Sequence, residues 1–119
     1  FDGVAGHGST SYFDIHNTLI AFGPTFKTRL RTSLPSANPD LAPTVLHALG
    51  IPAPGTMTGR PLREALAGGP DPCAVPVSAV AYSVERALRG EAGDFVYRCD
   101  LEGITVEGRT YVNQVHATR

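Results

Sequence analysis

Proline and glycine cut this chain into short pieces, and that punctuation limits what it can fold into more than any other feature. Ten prolines and 13 glycines stand among 119 residues. They exceed average usage and fall singly between apolar runs, so they read as element ends and not as a low-complexity tract. The last proline is Pro76. Before it each helix or strand has to be brief, because proline removes a backbone donor and clashes with the preceding helical turn. Beyond it the pattern changes. Val80, Tyr82 and Val84 alternate with small or polar residues, and Phe95 to Cys99 and Thr110 to Val112 are rich in strand formers. The expectation is an antiparallel β tail over residues 76–116. Glu107-Gly108 is its two-residue hairpin turn, and Gly103 is a candidate bulge.

Earlier in the chain, residues 1–17 lack apolar periodicity and are rich in Gly, Ser and Asp, which marks a loop. Thr18-Leu19-Ile20-Ala21-Phe22 is a short unbroken apolar run closed by Gly23-Pro24, the pattern of a strand buried on both faces in a parallel sheet. Phe26 to Thr32 carries Lys27, Arg29 and Arg31 and reads as an exposed connection. Asp40 to Gly50 has the marks of a helix. Asp40 stands at the N-cap and Pro43 in the first turn, Leu41, Val45, Ala48 and Leu49 share a face, and Gly50 sits at the C-terminal stop with apolar Ile51 after it. A second short helix is expected from Pro61 to Ala67, stopped by Gly68-Gly69-Pro70. The fold class is therefore α/β: a buried strand and two short helices in residues 18–68, then the β tail.

Length allows one compact domain of about 100 to 200 residues. The chain is 42% apolar and 18% charged, with a mean hydropathy of -0.04, as in a globular protein and unlike a disordered one. No apolar run approaches the roughly 18 to 20 residues of a membrane-spanning helix, so no membrane partner is expected. Ten basic and eleven acidic side chains are scattered along the chain, which gives no electrostatic footprint for nucleic acid. The opening Phe1-Asp2-Gly3-Val4 has neither Met nor a signal-peptide pattern, and the chain is expected to be part of something longer. Cys73 and Cys99 stand alone, without the C-x-x-C spacing of a zinc site, so compartment and disulfide state stay open.

The chemistry-bearing candidate is Gly6-His7-Gly8, an imidazole between two residues without Cβ, on a loop that feeds the apolar run. Such a loop can fold tightly and aim the ring at a shared site. By spacing alone the residue reads as a solvated or hydrogen-bonded loop histidine, because a catalytic zinc site wants three protein ligands and no H-x-x-x-H or C-x-x-C spacing accompanies it. His16 and Asn17 lie near the loop's end, where closing the turn accounts for them. Asp14 reads as a loop-stabilising Asx turn or as a carboxylate that orients a histidine. Capping accounts for Asp40, and neither His47 nor His116 gains a role.

Taken in order, Gly6-His7-Gly8-Ser9, Phe13 to Pro24, Asn38 to Ile51 and Gly59-Arg60-Pro61-Leu62 resemble the type I phosphodiesterase/nucleotide pyrophosphatase branch of the alkaline-phosphatase superfamily. The likeness is sharp over residues 6–66 and fainter in the β tail. It implies that the chain is the C-terminal part of an alkaline-phosphatase-like fold, in which the Gly-His-Gly histidine is the last ligand of a two-metal, usually di-zinc, site. That role carries to His7 alone. The nucleophilic Thr or Ser and the other ligands of the family match nothing in this chain. The resemblance thus implies a phosphoester-hydrolase segment that is inactive by itself and whose partners are the remainder of the parent hydrolase and its phosphoester substrate. A sulfatase or phosphomonoesterase is the alternative within the superfamily, because these relatives share the Asp-x-Ala-Pro-Thr helix seen at Asp40 to Thr44. A non-catalytic structural module that forms homo-oligomers through its β tail is the alternative outside it.

Overall fold

The computed structural model describes residues 9–90 and 93–118. The change of pattern after Pro76 is realised as a three-stranded antiparallel sheet of order β1-β2-β3, formed by β1 (Val77–Gly90), β2 (Gly93–Val106) and β3 (Arg109–Thr118). The β2–β3 turn falls at Glu107-Gly108 as expected. Both residues adopt positive φ, 48° and 75°, the pair that matches the right-handed twist of a hairpin. Gly103 lies within β2. His116, near the chain end, is part of β3.

Two helices and three short 3₁₀ turns complete the secondary structure of the described residues. Helix α1 (Tyr12–Ile15) is a single turn inside the stretch read as loop. Helix α2 (Leu41–Ala48) follows a 3₁₀ turn over Asn38–Asp40. Its end has the glycine geometry expected from the sequence. Gly50 is left-handed at φ 70°, the Ile51 amide donates to the Leu46 carbonyl at 2.9 Å, and the Gly50 amide donates to that of His47 at 3.1 Å.

Three expectations are corrected. First, residues 18–22 form no strand, and Leu19, Ile20 and Phe22 are exposed, Phe22 by 91%. A buried strand needs neighbours for its backbone and both its faces, and no described segment pairs with this one. Second, the helix expected from Pro61 to Ala67 contracts to a 3₁₀ turn over Arg63–Ala65. Leu66 leaves that turn with extended backbone and forms an antiparallel bridge with Phe26. Third, α2 does not bury the Leu41, Val45, Ala48 and Leu49 stripe. All four are exposed, and Pro43 and Thr44 are the buried residues of the helix.

The chain divides into two compact units. One takes Leu19–Ser78 with Thr105–Tyr111 and holds the buried apolar residues Leu62, Leu66 and Val106. The other takes the remaining described residues, which include most of the sheet. Cys73 and Cys99 are both free thiols. No helix among the described residues is long and apolar enough to cross a membrane.

Candidate functional site

Within the first unit four polar residues are buried: Asp40 (2% exposed), Thr44, Arg60 and Glu64. Burying such groups is unfavourable unless each finds partners, and here each does. The Asp40 carboxylate accepts from the Arg60 amide at 2.9 Å, the Ala37 amide at 2.8 Å and the Tyr111 hydroxyl at 2.9 Å. It stands at the N-cap of α2 as expected, yet its side chain makes no cap bond to that helix. Its acceptor capacity is turned to the chain on either side.

The Arg60 guanidinium grips Glu64 through a two-pronged pair, at 2.7 and 3.0 Å. It also donates to the Pro35 carbonyl at 3.2 Å and to the Tyr111 hydroxyl at 3.0 Å. Tyr111 thus accepts from arginine and passes its own proton toward Asp40. Glu107, on the hairpin turn, lies 3.7 Å from Arg60 and pairs with Arg63. Thr44 ties the same layer together: its hydroxyl donates to the Asp40 carbonyl at 2.6 Å and accepts from the Leu62 amide at 2.9 Å.

These contacts shift the titrations of their members. Burial pushes the Glu64 carboxyl up, but the Arg60 hydrogen bond and charge outweigh it and hold the group below its ordinary value. Burial together with the Asp40 hydrogen bond raises the Tyr111 phenol to about 12. Arg60 is pulled down by burial and raised further by Glu64, which leaves it more basic than an ordinary arginine. The network is saturated: among the described residues no buried side-chain nitrogen or oxygen lacks a partner. A saturated set of this kind offers no free base or nucleophile. Its chemistry is to staple the loop at Pro35, helix α2, the Arg60–Glu64 segment and the β2–β3 turn into one piece.

His7, the expected metal ligand, lies outside the described residues. The side chains near it in sequence act locally. Ser9 donates to the Asp14 carboxylate, Asn17 donates to the Asp14 carbonyl at 3.4 Å, and the His16 ring meets that of Tyr12 at 3.8 Å. His47 and His116 are exposed. Among the described residues no group of three or more His, Cys, Asp or Glu side chains could hold a metal ion.

Sequence reasoning singled out Asp40 only as a cap and attached no chemistry to Thr44, Glu64 or Tyr111. The available signal was the co-occurrence of Asp40-Leu41-Ala42-Pro43-Thr44 with Gly59-Arg60-Pro61-Leu62. Those two stretches prove to be hydrogen-bonded to one another at Asp40 to Arg60 and at Thr44 to Leu62. Comparison with family models, with curated proteins and with solved structures returns no match to this chain.

Proposed function

We propose that this chain is the C-terminal segment of a metal-dependent phosphoester hydrolase with an alkaline-phosphatase-like fold, and that His7 is one ligand of its two-metal site. The observation that carries the reading is the ordered set of motifs: Gly6-His7-Gly8-Ser9, then Asp40 to Thr44, then Gly59-Arg60-Pro61-Leu62. In its support, the second and third motifs are not independent strings. Asp40 and Thr44 accept the amides of Arg60 and Leu62, so the two stretches work as a single unit. The remaining metal ligands, zinc in this reading, and the nucleophile belong to preceding sequence, and the segment alone has no activity.

The test is the longer reading frame that encodes Phe1–Arg119, expressed with zinc and assayed on a phosphodiester, a phosphomonoester and a sulfate ester. Diester cleavage that falls at least about a hundredfold in His7→Ala supports the reading, since losing a metal ligand removes charge stabilisation and a positioned ion together. Preference for the monoester or the sulfate ester would reassign the substrate within the superfamily. No hydrolysis of any of the three refutes the enzyme reading.

One observation favours a second reading, in which the chain is a self-associating structural module. Leu19, Ile20, Phe22, Val45 and Leu49 are all at least half exposed, and β1 and β3 are the edges of the sheet. That reading requires sedimentation velocity to show a mass that rises with concentration.

A further inference from the structure

The sheet leaves one long strand edge unpaired. β1 runs over 14 residues and forms an outer edge of the order β1-β2-β3. Among the described residues the one β-bridge outside the sheet joins Phe26 to Leu66, so no other described segment pairs with β1. Sheet edges are ordinarily protected by brevity, proline, lysine or a bulge. β1 contains neither proline nor lysine and is as long as the central β2. The other edge, β3, has 10 residues, of which Arg109 to Tyr111 belong to the unit that holds Asp40 and Arg60.

The side chains of β1 divide between its two faces. Glu85 pairs with Arg98 at 3.4 Å and Ser83 hydrogen-bonds Asp100, so the odd positions share a charged face with β2. The even positions lie on the opposite face: Val80, Tyr82, Val84 and Leu88, with Arg86 among them. Tyr82 and Val84 are 59% and 62% exposed. A cation set in such an apolar stripe deters pairing unless the incoming strand meets it with a suitable group.

We infer that β1 pairs antiparallel with β1 of a second copy about a two-fold axis at Val84, joining the two sheets edge to edge. This gives the self-association reading a definite surface and rests on it. A two-fold axis normal to the sheet keeps like faces together, so it passes through one residue, and positions equally far before and after that residue oppose each other. Charge and length select Val84. An axis at Glu85 or Arg86 opposes like charges, and one at Tyr82 or Ala87 places Leu88 or Tyr82 beyond the partner strand. An axis at Ser83 sets Arg86 against Val80 and Leu88 against Ser78. An axis at Val84 sets Arg86 against Tyr82, a cation on an aromatic ring, and Leu88 against Val80, each twice. Glu85 then faces Ser83, and no like charges stand directly opposite between Ala79 and Arg89. The two copies of Glu85 are diagonal neighbours, and each is compensated by Arg98 of its own β2.

The experiment is sedimentation velocity of the 119-residue chain over a range of concentrations, with a reductant present so that Cys73 and Cys99 stay free. The mass should rise from 12.6 kDa to twice that value and stop there, because a two-fold contact closes. Tyr82→Arg sets an arginine opposite Arg86 of the second copy and should weaken the dimer at least about tenfold. Tyr82→Arg combined with Arg86→Tyr exchanges the pair and should restore it. Val84→Lys brings two ammonium groups together on the axis and should weaken the dimer as much, whereas Val112→Lys on β3 should not. Circular dichroism establishes that each variant is folded, and the exposed Tyr82 and Val84 positions test the axis independently of each other. A chain that stays at 12.6 kDa overturns the proposal and the self-association reading together. Four results overturn the proposal while leaving self-association through another surface: a dimer indifferent to Tyr82→Arg and Val84→Lys, a double variant no tighter than Tyr82→Arg alone, an equal loss in Val112→Lys, or a mass that grows past the dimer. Mass is read without substrate or metal, so none of these results bears on the hydrolase reading.

Discussion

Replacing Arg60 by methionine tests whether the polar staple, and not the small apolar cluster, holds the first unit together. The substitution keeps an unbranched stem and deletes a guanidinium that is 3% exposed. Glu64, also 3% exposed, then loses both hydrogen bonds at once, while the Pro35 carbonyl and the Tyr111 oxygen lose a donor each. An isolated buried carboxylate dominates the cost. Breaking a buried ion pair from one side destabilises by about 3 to 5 kcal/mol, a large part of the ~5 to 15 kcal/mol that holds a typical domain. Arg60→Met combined with Glu64→Leu removes the orphaned charge. It should recover to within about 2 kcal/mol of the parent chain, the remainder being the two neutral acceptors at roughly 1 kcal/mol each. Urea unfolding followed by far-UV circular dichroism measures both variants. The double variant keeps the experiment informative should the single one not fold. A single variant that costs less than about 1 kcal/mol, or a double variant no more stable than the single, would refute the reasoning.

Two further outcomes concern the same layer. At Gly59 an added Cβ would stand 2.1 Å from the Pro39 carbonyl oxygen, whereas at Gly55 it meets nothing within 4 Å. Gly59→Ala should therefore lower the melting temperature sharply, while Gly55→Ala leaves it unchanged or raises it by an amount worth about 0.4 to 1 kcal/mol; equal melting temperatures would contradict the close approach. The Tyr111 phenol is raised from its ordinary 10.0 to about 12, so the folded state favours its protonated form. That contribution is complete below pH 10 and is lost as the pH rises through 12. Tyr111→Phe should remove the part of the alkaline loss that falls in this window, read as the urea midpoint against pH.

The sheet was legible because its signals are local: strand-forming runs without proline, and a Glu-Gly pair able to take positive φ at both positions. The glycine end of α2 was legible for the same reason. What sequence did not reveal depends on partners far along the chain. Leu19 to Phe22 has the composition of a buried strand, but composition does not say whether a neighbour is present to pair with it. Pro61 to Ala67 has helical spacing, yet Leu66 is drawn into extended backbone by Phe26, 40 positions earlier in the chain. The staple is the extreme case, since Tyr111 meets Asp40 across 71 positions. Nothing in an Asp before a helix distinguishes a cap from a buried acceptor of three hydrogen bonds.

The orientation of α2 follows from that distinction. An amphipathic helix ordinarily turns its apolar stripe inward, because burying each large aliphatic side chain is worth about 1.5 to 3 kcal/mol. Here Leu41, Val45 and Leu49 forgo that gain and Thr44 is buried in their place. Rotating the helix to bury them would break the Thr44 bonds to Leu62 and Asp40 and move Asp40 away from Arg60 and Tyr111. Buried groups would lose partners, each at about 1 to 3 kcal/mol and more for the carboxylate. The apolar target is also small, since the unit's buried aliphatic residues are Leu62, Leu66 and Val106. The polar face wins because it has a complete set of partners inside the unit. The apolar stripe, with no comparable surface among the described residues to cover it, stays in water.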